Sequence, residues 1–120
     1  MTIRYAAFLG VLALAPAMVA QGVRQPDKVL YDTAIQDVQH GRYERARLTL
    51  QTLINTYDTS EFIPPAKFAL ADSWYREGGA KGLAQSEKEC KDLIALFPNT
   101  PAAANAQQLL KKIQDAGKAK

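Results

Sequence analysis

The chain has 120 residues, and its 15 basic and 12 acidic side chains give a net charge of +3 at neutral pH. A single cysteine and a single histidine exclude an internal disulfide and a metal site with four Cys and His ligands. Hydrophobic residues make up 48% of the chain, so it can bury a core, and we expect one small domain.

The N-terminal segment predicts export. Arg4 is the only charged residue among the first twenty, and an apolar run rich in Ala, Leu and Val follows over residues 5–15. This order is typical of a secretory signal peptide, with cleavage after Ala17 or Ala20, and a retained membrane anchor is the alternative. We predict a signal peptide over residues 1–20, a linker over 21–25 and a folded domain over 26–120.

The position of the cysteine excludes one kind of membrane attachment. A lipoprotein carries its lipid on a cysteine directly after the cleavage site, whereas the only cysteine here is Cys90. We therefore expect that the exported chain is not lipidated through an N-terminal cysteine. Cys90 fits the buried position of a small apolar residue in a helix.

The spacing of apolar residues after the linker predicts helices and no strands. Pro26, Pro101 and the pair Pro64-Pro65 fit the first turns of helices, where a missing backbone N–H removes no hydrogen bond. The predicted helices span residues 26–40, 43–57, 63–77, 83–97 and 101–116.

The region from Leu30 to Pro98 contains the order helix, turn, helix twice, and the turn glycines Gly41 and Gly78 lie 37 residues apart. Gly41 can close the first helix in the left-handed conformation. Gly78, Gly79 and Gly82 predict a second turn that is longer and more mobile. Because one hairpin cannot bury both of its apolar faces, the two copies should stack. The apolar stripes are Leu30, Ala34, Val38, Ala46, Leu50 and Leu53 in the first copy, and Phe68, Ala71, Trp74, Tyr75, Leu93, Leu96 and Phe97 in the second.

Residues that carry chemistry form no recognisable set, so we expect no enzymatic activity, no cofactor and no metal. His40 ends the first predicted helix, where a partly charged ring interacts favourably with the helix dipole, and this is a structural role. The segment 78–82 lacks the spacing of a phosphate-binding loop. The positive charge is concentrated in the last helix, and such lysines most often lie in solvent at a helix end. The alternative is a weak electrostatic contact with an acidic partner or an anionic membrane surface. Nucleic-acid binding is not expected, because no basic face carries interleaved aromatic residues. The lysines concerned are Lys111, Lys112, Lys118 and Lys120.

Three sequence passages carry a family resemblance. They are Gly41-Arg42-Tyr43 with Ala46 and Leu50 behind it, Trp74-Tyr75-Arg76-Glu77-Gly78-Gly79, and Phe97-Pro98-Asn99-Thr100-Pro101. Their order resembles the BamD-like tetratricopeptide (TPR) domain, whose repeats have a period of roughly 34 residues. The family includes BamD of the outer-membrane β-barrel assembly machine and, more distantly, CpoB of the Tol-Pal system. The resemblance covers nearly the whole chain after Gln25, and it implies the N-terminal repeats only.

The resemblance implies an all-α fold: about two TPR hairpins and a capping helix in a short right-handed solenoid. It also implies a non-catalytic scaffold in the periplasm, or at the periplasmic face of the outer membrane, that binds a protein or an extended peptide of outer-membrane assembly. A soluble CpoB-like module and a self-associating homodimer are the alternatives. In TPR stacks the first helix of each hairpin lines a groove. The apolar residues of that face can instead pack one hairpin against the other. Asp72 and Arg76, one helical turn apart, can pair with each other. The predicted groove residues are Tyr31, Ile35, Gln39, Phe68, Asp72, Tyr75 and Arg76.

Overall fold

The computed structural model describes residues 25–118, and within this range the chain is all-helical, which confirms the all-α part of the predicted fold class. No helix in this part of the chain is both long and apolar enough to cross a bilayer. The predicted signal peptide and nearly all of the predicted linker lie outside the described residues. The five helices are α1 (Pro26–Gln39), α2 (Tyr43–Thr56), α3 (Ile63–Glu77), α4 (Gly79–Leu96) and α5 (Pro101–Lys118).

Prolines and glycines mark most of the helix boundaries as predicted. Pro26 lies in the first turn of α1, Pro64 and Pro65 lie in that of α3, and α5 begins at Pro101. Gly41 has φ = 78°, the left-handed conformation that closes a helix without a steric penalty from a Cβ atom.

The predicted second turn is wrong. Helix α4 begins at Gly79 rather than at residue 83, so Gly78 alone joins α3 to α4, and this joint is shorter than the first turn. Gly78 and Gly79 have φ values of 79° and 73°, which reverse the chain within two residues. Gly82 is a buried helical residue, and a Cβ atom there would lie 2.6 Å from the carbonyl oxygen of Trp74. Gly82 therefore permits close packing of two helices and does not form a turn.

Each helix packs against the next one along the chain. In addition, α1 contacts α3, and α3 contacts α5. Helix α2 therefore packs against both α1 and α3, and α4 packs against both α3 and α5. The first predicted hairpin thus contacts the second through α2 and α3.

The apolar core consists of two clusters that meet at α3. The first lies between α1, α2 and α3, and the second between α3, α4 and α5. The buried positions of α2 recur in α4 40 residues later, so both helices use the same face. Leu96, predicted in the apolar stripe, is instead 61% exposed. The buried stripe runs from Leu93 to Phe97, the residue that follows α4, and residue 96 lies to one side of it. The repeated buried positions are Ala46, Leu50 and Leu53 in α2, and Ser86, Cys90 and Leu93 in α4.

The two turns between hairpins end the preceding helix in the same way. Tyr57 and Phe97 each donate a backbone N–H to the carbonyl oxygen four residues earlier, at 2.9 Å. The hydroxyl oxygen of Ser60 then accepts the backbone N–H of Phe62, the residue before α3, at 3.0 Å. The hydroxyl oxygen of Thr100 accepts the backbone N–H of Ala103, within the first turn of α5, at 3.1 Å. Only Thr100 therefore satisfies a donor that has no partner within the first helical turn, so the two turns end the preceding helix alike but start the next one differently.

A buried carboxylate closes the first hairpin. Asp37 is only 3% exposed, and its Oδ1 accepts a hydrogen bond of 2.9 Å from Nε of Arg42. The backbone N–H of Arg42 also donates to the carbonyl oxygen of Asp37 at 2.8 Å. Arg45 approaches the other carboxylate oxygen at 3.6 Å, so two cations compensate the buried negative charge.

Candidate functional site

The predicted groove residues of α1 are mainly part of the protein interior. Tyr31 and Ile35 are half-buried and pack against the first core cluster, whereas Gln39 is exposed. The ring of Tyr31 stacks on Phe62, with centroids 5.4 Å apart and an interplanar angle of 29°. Burial raises the pKa of the Tyr31 hydroxyl, and the nearby carboxylate of Asp32 raises it further.

The aromatic groove residues of α3 belong to the other cluster. Phe68 and Tyr75 are half-buried and pack against the second core cluster, at the side of α3 that meets α4 and α5. The four apolar members of the predicted set therefore contribute to hairpin packing, which is the alternative role that their spacing allowed.

Asp72 and Arg76 form the polar part of the predicted groove. Nε of Arg76 donates to Oδ2 of Asp72 at 2.9 Å, one helical turn apart, as their spacing predicts. The Arg76 side chain is half exposed and that of Asp72 is one-quarter exposed. Both charges can therefore be reached from solvent, and this pair, with exposed Gln39 on α1, is the accessible polar part of the predicted groove.

A crevice between α2 and α3 contains a cluster that the sequence did not predict. The guanidinium carbon of Arg47 lies 3.6 Å from the centroid of the Trp74 ring, and the ammonium of Lys81 lies 5.9 Å from it. Arg47 also bonds to Glu77 at 2.9 Å, and only 12% of its side chain is exposed. A stacked, shielded arginine is held more firmly than a free surface arginine. We call this space, of about 580 Å³, the first crevice; it is lined by Glu44, Arg47, Leu48, Gln51, Trp74, Glu77 and Lys81.

Helical periodicity could not reveal the first crevice. It places Trp74 on an apolar stripe of α3, but it does not say which residue of another helix covers the indole ring. The weak signal was the position of Arg47 next to buried Ala46, because a long cation beside a buried face often lays its stem along apolar surface.

A second crevice lies between the first half of α4 and the end of α5. It has a volume of about 780 Å³, and its floor contains the side chains of Leu83 and Ile113. Glu87 from α4 and Lys118 from α5 provide its charges. We call it the second crevice; it is lined by Ala80, Leu83, Ala84, Glu87, Ile113, Gln114, Ala116, Gly117 and Lys118.

Cys90 is fully buried in the second core cluster, which confirms the predicted buried position in a helix. Burial raises the pKa of its thiol to about 11, and a hydrogen bond with Ser86 opposes this shift only in part. Since the thiolate is the reactive form, this cysteine is a packing residue.

His40 terminates α1. Its Nδ1 lies 2.7 Å from the carbonyl oxygen of Gln36, so this nitrogen carries the proton and donates the bond. The same carbonyl oxygen also accepts the backbone N–H of His40 at 3.0 Å, so the ring adds a second bond at the end of α1, which is a structural role. Within residues 25–118, no group of three His, Cys, Asp or Glu side chains could hold a metal ion.

Comparison of the chain with models of known protein families and with curated protein sequences finds no match.

Proposed function

We propose that the chain is a non-catalytic adaptor of the bacterial cell envelope, built as a short TPR-like right-handed stack that resembles the N-terminal repeats of BamD. It binds a protein domain or an extended peptide along the side formed by α1, α3 and α5. By the same resemblance, the partners belong to the assembly of outer-membrane proteins.

The order of helix contacts is the observation that carries this proposal. In a TPR stack the first helices of the hairpins line one continuous surface, and here α1 contacts α3 while α3 contacts α5. The 40-residue recurrence of the buried face in α2 and α4 supports the same architecture. A continuous surface that spans several helices is the form in which repeat proteins present their binding sites.

The binding contacts of this surface are polar. The paired charges of Asp72 and Arg76 and the amide of Gln39 can exchange their present partners or water for backbone groups of an extended peptide. The half-buried rings beside them provide apolar contact at the base of the groove.

The proposed location rests on the N-terminal sequence and on the family resemblance. Export by the predicted signal peptide would bring the domain to the periplasm. The absence of a cysteine after the predicted cleavage sites favours a soluble module of the CpoB kind as the second candidate, in which the same groove would serve Tol-Pal partners. Weak contact with an anionic membrane surface would involve the exposed lysines of α5.

The test is capture of a partner by the groove. A photo-crosslinking amino acid replaces Gln39 in the full chain, which is expressed in a Gram-negative host, and the crosslinked proteins are identified by mass spectrometry. We expect outer-membrane assembly components to be captured by the wild-type background and lost in Asp72→Ala/Arg76→Ala. The matched control is Lys88→Ala/Asp92→Ala, which removes two exposed, opposite charges one turn apart on α4 and should leave capture unchanged.

Two outcomes contradict the proposal. Capture that is unaffected by Asp72→Ala/Arg76→Ala would remove these residues from the binding surface. Recovery of only the chain itself from Gln39 would favour a self-associating protein over an adaptor.

A further inference from the structure

The two crevices occupy equivalent places in successive hairpins. Four lining positions of the first crevice recur 40 residues later in the second. In the first crevice these positions lie on α2 and at the end of α3, and in the second they lie on α4 and at the end of α5. The equivalent pairs are Glu44 and Ala84, Arg47 and Glu87, Trp74 and Gln114, and Glu77 and Gly117.

The second crevice lacks the side chains that occupy the first. In the first crevice Arg47 covers the Trp74 ring, and the ammonium of Lys81 from the following helix lies 5.9 Å from the ring centroid. In the second crevice Gln114 replaces the tryptophan, and Ala84 and Gly117 replace two glutamates. The result is a larger opening, about 780 Å³ against about 580 Å³, with an apolar floor.

The charges at the second crevice are self-complementary. Glu87 lies on the α4 wall, where it also contacts exposed Lys91 at 3.5 Å, and Lys118 lies in the last turn of α5, on the opposite wall. A two-fold axis through the crevice exchanges the two walls, so it can place Glu87 of each copy beside Lys118 of the other. An interface between identical surfaces requires this property, since each patch must complement itself.

We propose that the second crevice is the contact surface of a symmetric homodimer, in which Glu87 of each copy pairs with Lys118 of the other over the apolar floor formed by Leu83 and Ile113. This contact lies at the α4–α5 end of the stack, so it is separate from the groove at Asp72 and Arg76 and does not depend on the adaptor function.

The experiment exchanges the two charges. The full chain is prepared as wild type, as Glu87→Lys and as Lys118→Glu, and its molar mass is measured over a concentration series by size exclusion with light scattering. In either single variant both symmetric pairs become repulsive, and we expect dimerisation to weaken about tenfold, the effect of inverting two exposed ion pairs. A one-to-one mixture of the two variants restores both pairs, and the dimer should return.

Return of the dimer in the mixture shows that Glu87 and Lys118 pair between copies. If they paired within one chain, the molar mass of the mixture would equal that of the separate variants. Matched controls are Lys88→Glu on α4 and Lys112→Glu on α5, which reverse exposed charges outside the crevice lining and should leave the wild-type mass unchanged. Circular dichroism of each variant confirms that the helices remain folded.

Three results would overturn the proposal. A wild-type chain that stays monomeric at every concentration has no such interface, even if the crevice takes a helix of another protein. A dimer that persists in both single variants lies elsewhere on the surface. A mixture that stays monomeric although each variant is folded excludes the cross-pairing of Glu87 with Lys118.

Discussion

Replacement of Gly82 by alanine should have two opposing effects on stability, a gain in helix propensity and a steric clash. In an exposed helix, alanine is favoured over glycine by about 1 kcal/mol. At Gly82, however, the new Cβ atom would lie 2.6 Å from the carbonyl oxygen of Trp74, so α3 and α4 must separate by about 0.8 Å to reach a distance of 3.4 Å. The obstructing atom belongs to the backbone and cannot rotate away.

The steric effect should prevail. Overpacking of a close helix contact costs about 1–3 kcal/mol, and a backbone clash belongs in the upper part of that range. After subtraction of the helix-propensity gain, we expect Gly82→Ala to lower the free energy of unfolding by about 1–2 kcal/mol. For a domain of this size, each kcal/mol lowers the Tm by about 4–8 °C.

Gly117→Ala is the matched control. Gly117 is also helical, but nothing lies within 4 Å of a Cβ atom at that position, so only the propensity gain remains. Because the residue lies near the end of α5, we expect a stabilisation of about 0.5 kcal/mol. Urea unfolding followed by circular dichroism measures both variants. A Gly82→Ala protein that is as stable as wild type would refute the argument that close helix contact selects glycine here.

Three further predictions concern the core, the thiol and a turn. Leu50→Ala, at a fully buried position, should cost about 2–5 kcal/mol in urea unfolding, whereas Leu48→Ala, at a side chain 66% exposed, should stay within about 0.5 kcal/mol of wild type. Burial raises the pKa of Cys90 to about 11 from 9.0, so the free energy of unfolding should decline as the pH rises above about 9 and level off above about 11. A thiol reagent should label the native protein only through unfolding. Prompt labelling at pH 8 would contradict this. The hydroxyl of Ser60 donates to Oδ2 of Asp27 at 2.6 Å and lowers the pKa of that carboxyl group. Ser60→Ala should therefore raise the pKa of Asp27, as measured by NMR titration. The bond also contributes to the stability of wild type, and this contribution is lost as the pH falls through the lowered pKa.

Local signals in the sequence were sufficient for most of the fold. Proline in first turns and Gly41 after α1 act within a few residues, and the three-and-four spacing of Ala46, Leu50 and Leu53 identifies the buried face of α2. These features depend on the geometry of one helix. They were therefore predictable without knowledge of which helices meet.

The errors arose where the decisive contact belongs to another helix. Gly82 resembles a turn residue in the sequence, but the carbonyl of Trp74 on α3 explains why glycine is there. The pairing of Arg47 with the Trp74 ring also joins two helices, and no periodicity within either helix specifies it. The groove residues divide for the same reason, since the packing of α3 against α4 and α5 decides that Phe68 and Tyr75 are half-buried.

The turns over residues 57–60 and 97–100 end α2 and α4 with the same backbone hydrogen bond, and this makes the protein modular. A second copy of residues 61–100 inserted after Thr100 would follow the turn that ends α4, and its own last turn would lead into α5 as that turn does now. Its buried face would stay in phase. The contact between α4 and the copied α3 would be weaker than that between α2 and α3. Glu87 would take the place of Arg47 at the copied Trp74 ring, so a cation–π contact of about 0.5–2 kcal/mol would be missing there. Gene duplication could therefore lengthen this protein by whole units, and a single Glu87→Arg substitution would supply the missing cation at that contact.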